Sequence, residues 1–235
     1  MWPGRVVAGQ ARKALARPAL WPSKGINRQG KGWHTMRHMM IDIETLDTRP
    51  SAVVFQVGVV VFEDALMQDV QGSAIIQQRK FDLDIMPQIF AGRTMDSETI
   101  NWWLTQKLPI IPINKDSVHF VFEEIERMVS EFEVSYVWSN SPSFDAVIMR
   151  SLAESLGVAY EFPSFRTDMD LRTLKNICKM KKVIVIDSEP RETTHDALQD
   201  ALDQVDDLLN MMVHLKIVFE IWDKYTTGEL VSVQT

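Results

Sequence analysis

The sequence predicts an α/β protein: a mixed β-sheet of three antiparallel strands, then helix–strand–helix units, flanked by helices. Three observations carry that reading. An apolar strand ending in Asp42-Ile43-Glu44 is followed by a β-branched run, Val53–Phe62, and an alternating one, Ser73–Leu83. The period then turns helical, with Val118, Val121, Phe122, Ile125, Met128, Val129 and Phe132 recurring on one face of Asp116–Phe132. Beyond it a short strand, Ser135–Ser139, lies between helical segments, the alternation that builds a sheet covered by helices.

Taken in order, the first strand should be central, and its end should form the floor of a site. Side chains two apart on a strand share a face, so Asp42 and Glu44 point one way while Ile41 and Ile43 enter the core. A strand turning polar as it leaves the core gives the same local pattern. The next two strands close a meander. Asp96–Gln106 reads as a helix opening on Asp96 or Ser97, and Ser143–Leu156 as a helix stopped by Gly157. Thr167–Lys179 is read as a further helix and Ala197–Tyr225 as a long closing one. No internal repeat is visible.

The 235 residues suit one domain of ordinary size with a tail. A hydrophobic share of 46% with 24% charged residues excludes a disordered chain. No apolar run reaches the ~20 residues that span a bilayer, so no membrane partner is expected. The single cysteine, Cys178, excludes an intrachain disulfide and a cysteine-based zinc site. Together these set a cytoplasmic, intracellular location as the expectation.

Net charge is −7, but it is unevenly spread. Residues 1–38 carry eight Lys/Arg and no acid; the remainder holds 17 basic against 32 acidic residues, a net of −15. The first segment is Arg-rich like a transit peptide, yet Pro-Gly breaks interrupt any amphipathic helix there. It is read as a disordered basic extension, or as upstream-translated sequence with the start at Met36, Met39 or Met40. Residues 39–235 form the single folded domain of this reading. A body that acidic cannot hold long nucleic acid by neutralising phosphates, so any such contact must be local or bridged by metal.

The candidate chemistry lies in three segments. Two carboxylates side by side on a rigid strand repel unless a cation lies between them, and a hard dication such as Mg²⁺ takes oxygen ligands. Asp145 follows Trp138-Ser139-Asn140-Ser141-Pro142-Ser143-Phe144, where a strand ends, a proline turns the chain and a helix begins. Alone, it would be explained by helix N-terminal charge. His195 lies in the loop entering the last helix, with Asp200 one to two turns in.

In chain order these segments read Asp-x-Glu, Asp, His-x-x-x-x-Asp, which resembles the DEDDh class of 3′–5′ exonucleases with their ribonuclease-H-like fold, over about residues 39–215. The opening His38-Met39-Met40-Ile41-Asp42-Ile43-Glu44-Thr45, the Trp102-Trp103 pair before Gln106, and Trp138 to Asp145 resemble the exonuclease VIII and phage exonuclease A branch. That branch includes the mycobacterial-type exoribonuclease, so it contains both DNA and RNA enzymes.

The resemblance implies that Asp42, Glu44 and Asp200 hold one divalent ion, that Asp42 and Asp145 help hold a second, and that both are Mg²⁺ or Mn²⁺. His195 would be the general base. The substrate would be the 3′ end of single-stranded DNA or RNA, with DNA ahead, releasing nucleoside 5′-monophosphates. Thr45 and Leu46 would meet the terminal nucleotide through the main chain and an apolar wedge. Adjacent tryptophans on a helix point about 100° apart; one should enter the core and one should stack on a base, and Trp103 is taken as the substrate contact. Asn140 is placed on the substrate side, orienting the Asp145 loop. Short exonucleases of this class commonly dimerise, which makes a homodimer an expectation. Two alternatives stay open: an exoribonuclease trimming RNA 3′ ends, and a catalytically silent module that binds a 3′ end.

Overall fold

The computed structural model describes residues 36–64, 74–106, 115–159, 165–180 and 195–226, the last helix with side chains to residue 215. The basic segment before residue 36 and Ser73 of the third expected strand lie outside the described residues. Five strands form one mixed sheet in the order β3-β2-β1-β4-β5. These are β1 (Arg37–Thr45), β2 (Val54–Glu63), β3 (Ile75–Asp82), β4 (Tyr136–Ser139) and β5 (Asp168–Asp170). β1 is central, as expected: antiparallel to β2, with Asp42 opposite Gly58, and parallel to β4, with Met40 opposite Trp138.

Because side chains alternate across a strand, β1 feeds two cores. Met39, Ile41 and Ile43 pack with Val57, Val59 and Val61 of β2 beneath α3 (Val118–Glu131) and α4 (Asp145–Ser155). Met40 packs on the other face with Val60, Phe62 and Trp138, beneath α5 (Leu171–Met180) and α6 (Ala197–Thr226). Asp42 and Glu44 continue the Met40 row, so they emerge under the start of α6. α3 closes with Val121, Phe122, Ile125 and Met128 buried, the face its spacing indicates, and Ser117 accepts from the Phe120 amide as its N-cap.

Two elements differ from the sequence reading. Thr167–Lys179 is not one helix: Asp168–Asp170 pairs with β4, and the helix begins at Leu171. A three-residue strand has no period to detect, and its outer residues are committed locally, Asp168 to Arg150 and Asp170 to the Thr173 amide. A short α1 (Met86–Phe90) precedes α2 (Ser97–Thr105), with Pro87 in its first turn. Its Gln88 is fully buried and bonds both ways to Val54, accepting from its amide at 2.9 Å and donating to its carbonyl at 2.7 Å.

Arg93 ties the turn after β1 to α4. Its guanidinium donates to the carbonyls of Ala52 and Pro50 and to the hydroxyls of Ser151 and Ser155. Burial pulls it down to about 10, still charged at neutral pH. Gly58 matters for a different reason. A Cβ there would lie 2.0 Å from the Ala197 carbonyl oxygen, so the first turn of α6 rests directly on β2 backbone. Among the described residues, no helix is long and apolar enough to cross a membrane.

Candidate active site

Three distant segments meet where β1 and β4 end and α6 begins. β1 presents Asp42 and Glu44; the β4–α4 turn presents Asp145; the loop into α6 presents His195, and its first turn Asp200. Donor atoms of Glu44, His195 and Asp200 all lie within 4.8 Å of one another. Asp145 is buried at the start of α4, accepting from the Ser141 amide at 3.3 Å. Asn140, just before that turn, accepts from the Arg172 amide at 3.1 Å and so fastens the turn to α5.

Electrostatics at this point are those of crowded anions. Burial raises Asp42 well above the ordinary carboxylate range, and Asp145, Glu44 and Asp200 raise it further, against a hydrogen bond from Gln204. Burial, then Asp200, Asp145 and Asp196, push Glu44 up to about 8. Burial also pushes Asp145 to about 7, opposed by the Ser141 and Asp145 amides, Ser139 and Arg172. Such a set is at ease with protons or with a cation, and oxygen donors of this kind suit a hard divalent ion.

This arrangement has a sign that can be tested. Glu44 and Asp145 bind protons more tightly folded than unfolded, so they stabilise the fold at low pH and lose that contribution as pH rises through about 7 and about 8. Asp47 runs the other way: despite desolvation, hydrogen bonds from Arg49, Thr94 and the Thr48 amide hold it at about 2, so its window lies at much lower pH. Melting the protein in EDTA should therefore give a temperature that falls between roughly pH 5 and pH 8. Added Mn²⁺ should restore more of it at the upper end. A melting temperature that climbs across this window in EDTA would contradict the crowding of anions.

His195 is held in an uncommon way. Its φ of 49° is left-handed, a conformation that non-glycine residues adopt at some cost. Next to it, Asp196 accepts from the Leu198 and Gln199 amides through Oδ1 and from Lys80 through Oδ2 at 2.7 Å. On the other side the Trp102 ring stands edge-to-face on the imidazole, with centroids 4.6 Å apart.

Chemistry and comparison point the same way. A family model described as the 3′–5′ exoribonuclease Rv2179c-like domain matches residues 37–212. The chain belongs to this family. The structure resembles the nuclease domain of 3′hExo, a DEDDh family member bound to rAMP, with TM-score 0.53 and 12% identity over 76% of this chain and 92% of that one. It also resembles cell-death related nuclease 4, with TM-score 0.50 and 14% identity over 75% and 63%. The zinc-bound complex of E. coli exonuclease I with single-stranded DNA gives 0.52 and 13% over 85% and 46%, so the chain spans about half the length of that protein. No curated protein matches it. This Rv2179c-like chain is thus a 3′–5′ exonuclease with the DEDDh, ribonuclease-H-like fold.

The residues expected to meet substrate in this exonuclease divide differently from the sequence reading. Trp103 is 2% exposed, and its indole donates to the Thr45 carbonyl at 2.9 Å; Trp102 is 42% exposed. Leu46 packs with Trp103, Val53 and Phe55, and the Thr45 hydroxyl donates to the Asp47 carbonyl. Thr45, Leu46 and Trp103 therefore make a buried floor, and Trp102 is the ring that faces outward. Two residues escaped the sequence reading. Gln204, whose amide meets Asp42, was signalled only by its place four residues after Asp200. Gly58 was signalled only as a lone glycine in a β-branched run.

Proposed function

We propose that this exonuclease removes nucleotides one at a time from the 3′ end of single-stranded RNA, with two divalent ions and His195 as general base. The observation that carries this is the meeting of Asp42, Glu44, Asp145, His195 and Asp200 from three distant segments, with Asp42 and Glu44 raised by burial and by neighbouring carboxylates and Asp145 raised by burial. The family's description as an exoribonuclease supports RNA. DNA, the sugar that the sequence reading put first, becomes the second arm of the same assay.

The donor set fits Mg²⁺ or Mn²⁺: Asp42, Glu44 and Asp200 would hold one ion, and Asp42 with Asp145 a second. When bound, such ions supply Lewis acidity to the scissile phosphate and make an attacking water more acidic. His195 would take the attacking water's proton through a ring nitrogen, its ring standing against Trp102 and the next residue, Asp196, fixed by Lys80. The carboxylates would act on the phosphate through the ions they hold, and the buried floor of Leu46 and Trp103 would bound the terminal nucleotide from below. Because only a few nucleotides need be gripped, the acidic body is compatible with a nucleic-acid substrate.

The test uses 5′-labelled single-stranded RNA and DNA of one sequence, with Mg²⁺, Mn²⁺ or EDTA. The expected result is a ladder shortening from the 3′ end, faster on RNA and abolished by EDTA. His195→Ala should lower the rate about 10²- to 10⁴-fold, the usual worth of a general base. Intact oligonucleotides under every metal condition, with folded protein, would leave a 3′-end-binding module. DNA shortened faster than RNA would reverse the sugar.

The exposed Trp102 takes over the stacking role first given to its neighbour. Base stacking on an aromatic is worth about 1–3 kcal/mol, so Trp102→Ala should raise KM about 5- to 150-fold, with Trp102→Phe recovering most of it. Steady-state kinetics on a short oligonucleotide checks this. A fall in kcat with KM unmoved would remove the stacking role and leave Trp102 only its contact with His195.

A further inference from the structure

Gln204 is the one side chain, among the described residues, whose hydrogen bond to Asp42 works against the surrounding negative charge. Its Nε2 donates to Asp42 Oδ1 at 2.7 Å, while its Oε1 is buried with no hydrogen-bond partner. An amide can be turned end for end, but only this orientation gives Asp42 a donor. The orientation present sacrifices the acceptor to satisfy the carboxylate. A buried acceptor left bare costs free energy, so the arrangement is retained for what the donor does.

We propose that Gln204 is a positioning residue for the divalent ions: by fixing the rotation of the Asp42 carboxylate, it tightens their binding. The inference rests on the reading of Asp42 as a metal ligand. The torsion about a carboxylate's Cβ–Cγ bond is soft, with no sharp staggered wells. Beside Glu44, Asp145 and Asp200, an untethered Asp42 would rotate and swing to lower its repulsion with them. One hydrogen bond from a residue anchored on a helix removes that freedom before an ion arrives. Oδ1 has a second lone pair, so accepting from Gln204 does not exclude it from a cation.

Placement in the chain supports the same conclusion. Gln204 follows Asp200 by one helical turn, so the two share a face of α6. α6 is seated on β2 backbone at Gly58, and Gly58 is the cross-strand partner of Asp42. One helix thus delivers a carboxylate of its own and the donor that orients a carboxylate of β1. Partners that orient metal ligands typically contribute 10- to 100-fold to metal affinity.

The test is Mn²⁺ binding to the EDTA-stripped full chain, followed by the electron paramagnetic resonance signal of free Mn²⁺. Gln204→Met keeps the length of the side chain and removes both the donor and the bare acceptor. Its expected Mn²⁺ affinity is about 10- to 100-fold weaker than that of the unsubstituted chain, with the metal-free melting temperature held or raised. Gln204→Leu should behave alike and serves if the methionine variant folds poorly. Gln199→Met, on the exposed side of the same helix, should bind Mn²⁺ as the unsubstituted chain does. Unchanged affinity in both Gln204 variants, or a loss of metal-free stability with affinity intact, would overturn the proposal alone. Failure of the unsubstituted chain to bind Mn²⁺ would overturn the reading of Asp42 as a ligand, and this inference with it.

Discussion

Asp42→Asn is expected to stop nucleotide release while making the metal-free protein harder to melt. The substitution keeps the shape of the side chain and its capacity to accept from Gln204, so the fold should survive. What it removes is the anion on which Glu44, Asp145 and Asp200 all bear. With metal and substrate present, losing a ligand proposed for both ions forfeits several kcal/mol of charge stabilisation, about a thousandfold or more in rate. Without metal the same deletion relieves repulsion, because buried like charges oppose each other's ionisation. The check is a single-turnover rate on labelled RNA beside melting curves in EDTA near pH 8, where Glu44 is at its titration point of about 8. A rate within tenfold of the unsubstituted enzyme would sink the role given to Asp42. A lower melting temperature in EDTA would sink the account of the site as a cluster of mutually strained anions.

A methyl group at position 58 should do comparable damage by a mechanical route. The Cβ of Gly58→Ala would meet Ala197 O at 2.0 Å, Ala197 C at 2.2 Å and Leu198 N at 2.5 Å. These are backbone atoms of α6, so no rotamer change can make room and the helix itself must lift. Overpacking ordinarily costs about 1–3 kcal/mol and more where backbone must move; here at least the upper figure is expected. Since α6 carries Asp200 and its entry loop carries His195, a shift of about 1 Å would also lower the rate about 100-fold. Denaturant unfolding and a rate measured well below the melting temperature separate the two effects. Gly157→Ala is the contrast: its φ of 65° is left-handed but nothing lies within 4 Å, so it should cost about 1 kcal/mol and leave the rate alone. Equal effects from the two substitutions would remove the special place of Gly58.

Much of the fold was legible because it is written in period. The alternation of Met39 to Glu44 and the helical recurrence from Val118 to Met128 each state a face, and the structure buries those faces. The site was legible as an ordered set of acids and a histidine on foreseeable element types, since strand ends and helix starts leave their own marks in sequence. What escaped was whatever depends on a partner remote in the chain. Asp168–Asp170 is a strand only because β4 lies beside it. Trp102 and Trp103 are equal as letters, and the Thr45 carbonyl decides which one is buried. Gln204 and Gly58 carry meaning only once α6 lies across the sheet. Local pattern encodes which face is apolar; it does not encode what a face will meet.

The strand order has a consequence during synthesis. β1 can pair with β2 as soon as both are made, but its parallel partner β4 begins near residue 136, and the last carboxylate of the site is Asp200. Non-local pairings of this kind form late. A chain still growing on a ribosome therefore shows Asp42 and Glu44 to its surroundings long before Asp200, His195 and Gln204 exist to complete them. Until α6 is made, the nascent protein has no finished site, beside the messenger RNA that encodes it. Competence arrives only with α6, the last of the described elements to be made.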